Sequence, residues 1–154
     1  MSETAVMTLM DRRSYQHWTH VSLRYGDTDK LGHINNAVFV TLLEAGRVSV
    51  LFDNDGSIAR DSKTFVIANL KIDFRAEMHF PGTAEIGTAL LSIGRSSVKL
   101  VQAIFKDGIC CATSESTIVL IDENTRKPSP ISDEVRAMIT KLAPPLSDSS
   151  HFGL

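Results

Sequence analysis

The chain has 154 residues, a net charge of −2 and 43% hydrophobic residues, which is typical of a single globular domain. The net charge does not indicate a nucleic-acid-binding protein, and no apolar run reaches the ~18 residues of a membrane span. The first residues also lack the basic region and apolar run of a secretory signal, so we expect a cytoplasmic protein.

The first half of the chain predicts a strand, a polar loop and a long helix. Residues 1–14 have no convincing period, so a flexible N-terminal arm is expected there. His17–Tyr25 alternates apolar and polar side chains, as a strand does. After a loop that contains two glycines, an apolar helix is predicted from about Asn36 to Phe52, with Asn35 or Asn36 as its N-cap. This helix is apolar on nearly every side, so other structure must cover it.

The second half predicts four successive strands and a short helix. The strands are Thr64–His79, which has the clearest alternation, Thr83–Ile93, Ser97–Phe105 and Ile109–Ile121. Ser132–Leu142 has the spacing of an amphipathic helix capped by Ser132, and the Pro/Ser-rich residues 143–154 predict a flexible tail. Strands joined by tight turns are antiparallel, and only a curled sheet hides so apolar a helix. We therefore predict an α+β fold, with a curved antiparallel sheet around one long helix.

The two cysteines, Cys110 and Cys111, are neighbours on a predicted strand. Adjacent strand residues point to opposite faces, so a disulfide between them is not expected. Small buried side chains in a reducing compartment are favoured over a redox pair or a metal site.

The loop before the long helix concentrates titratable groups, a pattern typical of functional sites. From residue type alone, Asp29 is read as a carboxylate that accepts backbone amides in a turn, and Asp27 as a residue that organises the loop. His33 could orient Asp29, donate to a substrate or bond to backbone carbonyls. Gly26 and Gly32 are expected to permit positive φ or a close backbone approach.

The loop residues and the order of elements match a known family. The matching motif is Tyr25-Gly26-Asp27-Thr28-Asp29-x-x-Gly32-His33-x-Asn35-Asn36. With it, the chain resembles the hotdog-fold acyl-CoA thioesterases of the 4-hydroxybenzoyl-CoA thioesterase type, nearest to their bacterial acyl-CoA thioesterase branch. The resemblance covers about Tyr15 to Leu142 and implies a hotdog thioesterase domain at 15–142. Weaker matches lie at Arg95-Ser96-Ser97 and Lys127-Pro128-x-Pro130.

The resemblance implies hydrolysis of an acyl-CoA to a free acid and coenzyme A, with no cofactor because coenzyme A is part of the substrate. The catalytic carboxylate of the family falls on Asp29, as nucleophile or general base, which reverses the reading from residue type. The backbone amide that polarises the thioester carbonyl falls near Asn36. The family forms dimers, often paired into tetramers, with active sites at the subunit interface. Members that act on aromatic substrates have apolar or aromatic residues in place of His33, Asn35 and Asn36. A fatty acyl group, and a role in fatty acid metabolism, are therefore favoured.

Further candidates lie outside the loop. Glu44 is on the buried helix, where a carboxylate needs a partner, and Arg47 lies one turn later. A structural Glu44–Arg47 pair is favoured, although Glu44 could position the attacking water, as a helix-borne glutamate does in another hotdog branch. Arg75, Arg95 and Lys99 are candidates by residue type for the nucleotide end of coenzyme A, and each could equally be a solvated side chain.

Other site types and functions are less favoured by the sequence. The histidines show no ligand spacing such as two histidines separated by three residues, so no metal site is predicted. A hotdog acyl-thioester hydratase or dehydratase would need a histidine and a carboxylate at other positions of the scaffold. A non-catalytic acyl-CoA-binding protein is the remaining alternative, and no DNA-binding segment supports a regulator.

Overall fold

The described part of the chain, residues 2–53 and 55–146 of a computed structural model, contains three α-helices and seven strands. The helices are α1 (Glu3–Leu9), α2 (Asn36–Leu51) and α3 (Asp133–Leu142). The strands are β1 (His17–Ser22), β2 (Phe52–Asp53), β3 (Gly56–Ser57), β4 (Lys63–Phe74), β5 (Thr83–Ile93), β6 (Ser97–Lys106) and β7 (Ile109–Asp122). Among these described helices, none has the length and apolar character needed to cross a membrane.

Five strands form one antiparallel sheet in the order β1-β5-β6-β7-β4, and β2 and β3 form a separate small hairpin. The sheet contains irregularities in register on β4, β5 and between β6 and β7. Such bulges bend a strand and increase its twist, so the sheet curves around α2. The predicted α+β hotdog architecture is confirmed.

Helix α2 packs one face against β1, β5 and β6. Gly46 permits this close approach, because a Cβ atom there would lie 2.6 Å from Nε2 of Gln102. The opposite face is open in the single chain: Val40 and Val48 are 40% and 44% exposed, and Glu44 is exposed between them. The expectation that α2 is covered on every side is therefore wrong for one chain, because a single curved sheet covers only one face of a helix.

The predicted N-terminal arm contains a helix, and the described start of the predicted tail forms a bridge with β5. Helix α1 lies within residues 1–14, its Leu9 is buried, and the Tyr15 hydroxyl donates to the Leu9 carbonyl at 2.8 Å. Leu9 and Tyr15 belong to a cluster of buried side chains on the sheet. Because successive strand residues alternate between faces, this cluster covers the face of the sheet that lies opposite α2. Of the predicted tail 143–154, only the part up to residue 146 lies within the described residues, and Leu146 is buried in the same cluster. Helix α3 has the predicted cap, in which Ser132 Oγ accepts the Val135 N–H at 3.2 Å.

Strand β4 ends earlier than the sequence predicts, at Phe74 instead of His79. The N–H groups of Arg75 and Ala76 both donate to the carbonyl of Cys111, at 2.8 and 3.2 Å, which ends the regular ladder with β7. Residues 75–79, here called the 75–79 segment, then pair with the loop before α2, where the Ile34 N–H donates to the Met78 carbonyl at 2.7 Å. This departure from the sheet brings the segment beside the loop that holds Asp29.

We expect the two cysteines to be dispensable for activity. Both are free and buried, and burial raises the pKa of the Cys110 thiol to about 11, so it stays protonated and unreactive at neutral pH. Replacing Cys110 by Ala and Cys111 by Ser should leave turnover near that of the parent and lower the free energy of unfolding by about 1–3 kcal/mol. Denaturant unfolding and a turnover assay check this. A folded double variant without turnover would contradict the expectation.

Candidate active site

The loop from residue 26 to residue 36, here called the 26–36 loop, is closed by its own backbone hydrogen bonds. The Asn35 N–H donates to the Asp27 carbonyl at 2.8 Å, and the Asp29 N–H donates to the His33 carbonyl at 2.7 Å. Gly32 has φ of +85°, a conformation that glycine adopts without strain. Gly26 instead lies in the short 3-10 turn Tyr25–Asp27 and is not among the glycines with positive φ. The expectation of a positive φ is therefore wrong for Gly26.

Asp27 organises the start of this loop, as the sequence predicts. Its carboxylate is buried and accepts the Arg24 backbone N–H at 2.8 Å and the Arg24 guanidinium at 2.8 Å. These hydrogen bonds from Arg24 lower the pKa of Asp27 below its usual value. The charge of Asp27 is thus committed to holding the loop.

Asp29 is half-buried and is anchored through one of its two oxygens. Oδ1 accepts the backbone N–H groups of Leu31 and His33 at 2.8 and 3.1 Å. This is the turn geometry that residue type alone favours. Oδ2 accepts no hydrogen bond from the rest of the described chain. The loop therefore fixes the carboxylate group while leaving one oxygen available to a substrate or water.

Helix α2 begins directly after this loop, with its cap at Asn35. Asn35 Oδ1 accepts the Ala37 N–H at 2.9 Å, which settles the N-cap in favour of Asn35 over Asn36. The Asn36 N–H belongs to the first turn, whose amides have no partner within a helix, and it donates to no other described residue. A free amide at the positive end of a helix can stabilise a developing negative charge.

Asp29, His33 and Asn36 line one cavity of about 400 Å³, together with residues 75–78 of the 75–79 segment. The remaining lining residues are Leu31, Ile34, Phe39, Phe74, Arg75, Ala76, Glu77 and Met78. The structure therefore brings together three of the four candidate catalytic residues that the sequence proposes. The lining residues thus include a carboxylate, a residue whose backbone N–H is unpaired, and several apolar side chains.

Glu44 is separate from this cavity. It is exposed and lines a different cavity of about 210 Å³, near Arg47 and Phe65. Arg47 is the buried member of the pair: burial lowers its pKa, the charge of Glu44 opposes this, and Nη1 donates to Gln102 Oε1 at 3.4 Å. No direct Glu44–Arg47 ion pair is found among the described residues. The expectation of a buried, paired glutamate, which places the pair near a subunit interface, is wrong for the single chain, because Glu44 lies on the open face of α2.

Of the three candidate cations, only Arg75 lines the cavity that contains Asp29. Its side chain is 26% exposed, Nε donates to Thr113 Oγ1 at 3.1 Å, and Nη2 lies 3.6 Å from Asp73 Oδ2. Arg95, just before β6, and Lys99, on β6, are exposed and line neither this cavity nor the one beside Glu44.

Sequence reasoning missed Glu77 as part of this site. Its Oε2 lies 3.2 Å from Nε2 of His33, although the two residues are distant in sequence. The available signal was the spacing of Glu77 and His79, since residues two apart in an extended segment point to the same side.

Comparison with known proteins identifies the family. The profile of the thioesterase-like superfamily matches residues 23–139, which is more than half of the chain. The chain belongs to the thioesterase-like superfamily. This membership supports thioester hydrolysis as the class of reaction. A comparison with curated proteins gives no match.

Several solved structures are similar in fold to this chain. A predicted thioesterase from Bacillus stearothermophilus is 29% identical, with a TM-score of 0.74, and the match covers 84% of this chain and 97% of that one. YbaW, a probable thioesterase from Escherichia coli, is 25% identical, with a TM-score of 0.72 and coverage of 83% and 99%. A protein from Pseudomonas aeruginosa is 25% identical, with a TM-score of 0.75 and coverage of 86% and 94%.

Proposed function

We propose that this protein hydrolyses acyl-CoA thioesters, with a fatty acyl group favoured over an aromatic one. The observation that supports this most directly is that Asp29 and Asn36, the residue with the free N–H, line one cavity. Thioester hydrolysis needs a carboxylate and a donor aimed at the oxyanion, and little else. The leaving thiol has a pKa of ~8.5, so it departs as thiolate without a strong general acid.

In the proposed mechanism, the Asn36 N–H donates to the thioester carbonyl oxygen and stabilises the negative charge that forms there. As a general base, Asp29 takes a proton from the attacking water, the new C–O bond forms and the C–S bond breaks. As a nucleophile, Asp29 instead displaces the thiolate to give a mixed anhydride, which water then hydrolyses. In both cases the thiolate leaves with the bonding electron pair and is later protonated by solvent.

The residues that line the cavity support a proposal for where the acyl group and the coenzyme A part of the substrate bind. Its apolar side chains, Phe39, Phe74 and Met78 among them, suit a hydrocarbon acyl group. Arg75 is the candidate cation for the phosphates of coenzyme A, because it alone of the three candidates lines this cavity. Arg95 and Lys99 remain candidates only if a partner subunit brings them close to the bound nucleotide.

Release of free thiol from a panel of straight-chain and aromatic acyl-CoAs tests the proposal. We expect thiol release, fastest with straight-chain substrates. Faster turnover of aromatic substrates would overturn the acyl preference while leaving the reaction intact. A changed acyl-CoA without thiol release would indicate hydration or dehydration, and saturable binding without turnover would indicate a binding protein.

We also expect the protein to form a homo-oligomer, as the family does. Strand β4 is an edge of the sheet in the described chain, and its Ile67 and Phe74 are 48% and 51% exposed. A long edge strand with exposed apolar side chains is protected in most proteins by pairing with another strand. Light scattering at low micromolar concentration checks this, and a species of only 16.9 kDa would contradict both the oligomer and an interfacial active site.

A further inference from the structure

Three side chains converge beside the cavity: His33 from the 26–36 loop, and Glu77 and His79 from the 75–79 segment. Nε2 of His33 and Nε2 of His79 lie 3.2 and 3.7 Å from the same oxygen, Oε2 of Glu77. One ligand atom from each residue lies within 4.8 Å of the other two. We infer that these three residues form a Zn²⁺ site.

The distances between the donor atoms suit this ion. Zn–N and Zn–O bonds of about 2.0–2.2 Å with tetrahedral angles place donor atoms about 3.3–3.5 Å apart. The observed separations of 3.2 and 3.7 Å lie on either side of that range. Two imidazoles and one carboxylate favour Zn²⁺ over Mg²⁺ or Ca²⁺, which prefer oxygen ligands. Three protein ligands leave a fourth position for water.

The backbone holds the three residues in place. His33 and His79 are opposite each other in an antiparallel bridge, and their rings stand 5.0 Å apart at 81°. Glu77 is two residues before His79 and therefore lies on the same side of the segment. The nearby positive charge of Arg75 is partly offset by Asp73, 3.6 Å from its guanidinium. The half-buried carboxylate of Asp29 lines the same cavity and favours a cation.

The ion would join the loop that contains Asp29 to the segment that forms the opposite wall. Without it, the two pieces are joined by the Ile34–Met78 backbone bond, the bridge and ring contact between His33 and His79, and the His33–Glu77 contact. Binding to the folded state alone would stabilise the protein and keep the loop in place. The ion therefore has a structural role beside the cavity and is not required by the proposed hydrolysis.

A simple surface pair is the competing explanation, since Glu77 and His79 are 66% and 55% exposed and exposed pairs contribute little stability. The chain offers a matched control. His20 Nε2 lies 3.3 Å from Glu85 Oε2, but the third member of that cluster is Arg12, which cannot ligate a metal. His20→Ala thus removes an exposed histidine with a glutamate partner and leaves the proposed site intact.

The test is a ZnCl₂ titration of the full-length, untagged protein after chelator treatment, by calorimetry and thermal unfolding. We expect one Zn²⁺ per chain and a rise in Tm that MgCl₂ does not reproduce. His33→Ala and His79→Ala should each weaken binding by about tenfold or more, and His20→Ala should not. Co²⁺ in place of Zn²⁺ should give a visible absorption band that His79→Ala abolishes.

Several results would overturn the inference. These are no saturable Zn²⁺ binding by the parent, parent-like binding by both His33→Ala and His79→Ala, or loss of binding in His20→Ala alone. Unfolding in chelator shows whether each variant is folded. Because His79 is the more exposed of the two histidines, His79→Ala keeps the test decisive if His33→Ala disturbs the loop.

Discussion

Asp29→Asn should lower turnover by about a hundredfold or more while Tm changes little. The Asn side chain keeps an oxygen that can accept the Leu31 and His33 amides, which hold the loop. It replaces the free carboxylate oxygen by an amide that neither attacks a carbonyl nor takes a proton. Thiol release, thermal unfolding and equilibrium binding of an acyl-CoA measure the three quantities. Affinity should stay the same or increase, because coenzyme A is anionic and one negative charge has been removed.

Glu44→Gln is the matched control for the loss of one carboxylate charge. From the sequence alone, this change is expected to lower stability, because it would remove the partner of Arg47 on a buried helix. The structure revises that expectation: Glu44 is exposed and has no ion pair with Arg47 among the described residues, so both turnover and Tm should stay near the parent values. Normal turnover in Asp29→Asn, together with an inert and well-folded Glu44→Gln, would assign the chemistry to the other carboxylate.

Asn36→Pro should lower kcat by about a hundredfold to a thousandfold, because proline removes the one backbone N–H proposed to stabilise the oxyanion. The backbone accepts this change. Residue 36 is the first residue of α2, where proline is favoured, and Asn35 has ψ of 137°, which suits a residue before proline. Tm should therefore remain close to that of the parent. Single-turnover thiol release separates the effect on the chemical step from any effect on binding.

Asn36→Ala completes that experiment, since it removes the side chain and keeps the N–H. We expect it to retain most of the activity. Equal losses in Asn36→Ala and Asn36→Pro would show that the side chain, and not the backbone amide, matters. Parent-like activity in Asn36→Pro would remove this amide from the mechanism.

The sequence predicts most of the fold because its strongest signals are local. The alternation within residues 64–74 and the apolar run that forms α2 each identify an element without knowledge of the rest of the chain. The same alternation continues through Phe74, Ala76 and Met78, so it cannot show that the strand ends at Phe74. What ends it is a pair of hydrogen bonds to Cys111, a residue far along the chain. Helix α1 is too short for its period to be visible.

In the candidate site, too, some residues are predicted by local sequence signals and others are not. The sequence proposes Asp29 and Asn36 because they belong to one continuous motif, and the cap at Asn35 follows from side-chain chemistry. Glu77 and His79 reach His33 only through the pairing of two segments that are distant in sequence. The exposure of Glu44 was missed because residue type alone does not show which face of a helix the sheet covers.

The compact hydrogen bonding of the 26–36 loop separates the groups proposed to react from the part of the cavity proposed to contact the acyl chain. The bonds that orient Asp29 and cap α2 all join residues within this loop and its first helical turn. The apolar wall comes largely from Phe39, Phe74 and Met78, which make none of those bonds. Conservative apolar substitutions at these three positions leave the hydrogen bonds of the loop in place, so we expect them to alter the length and shape of the accepted acyl group more than the position of the carboxylate relative to the amide. Such a division lets selection, or an engineer, change substrate range in small steps while the reaction itself is preserved.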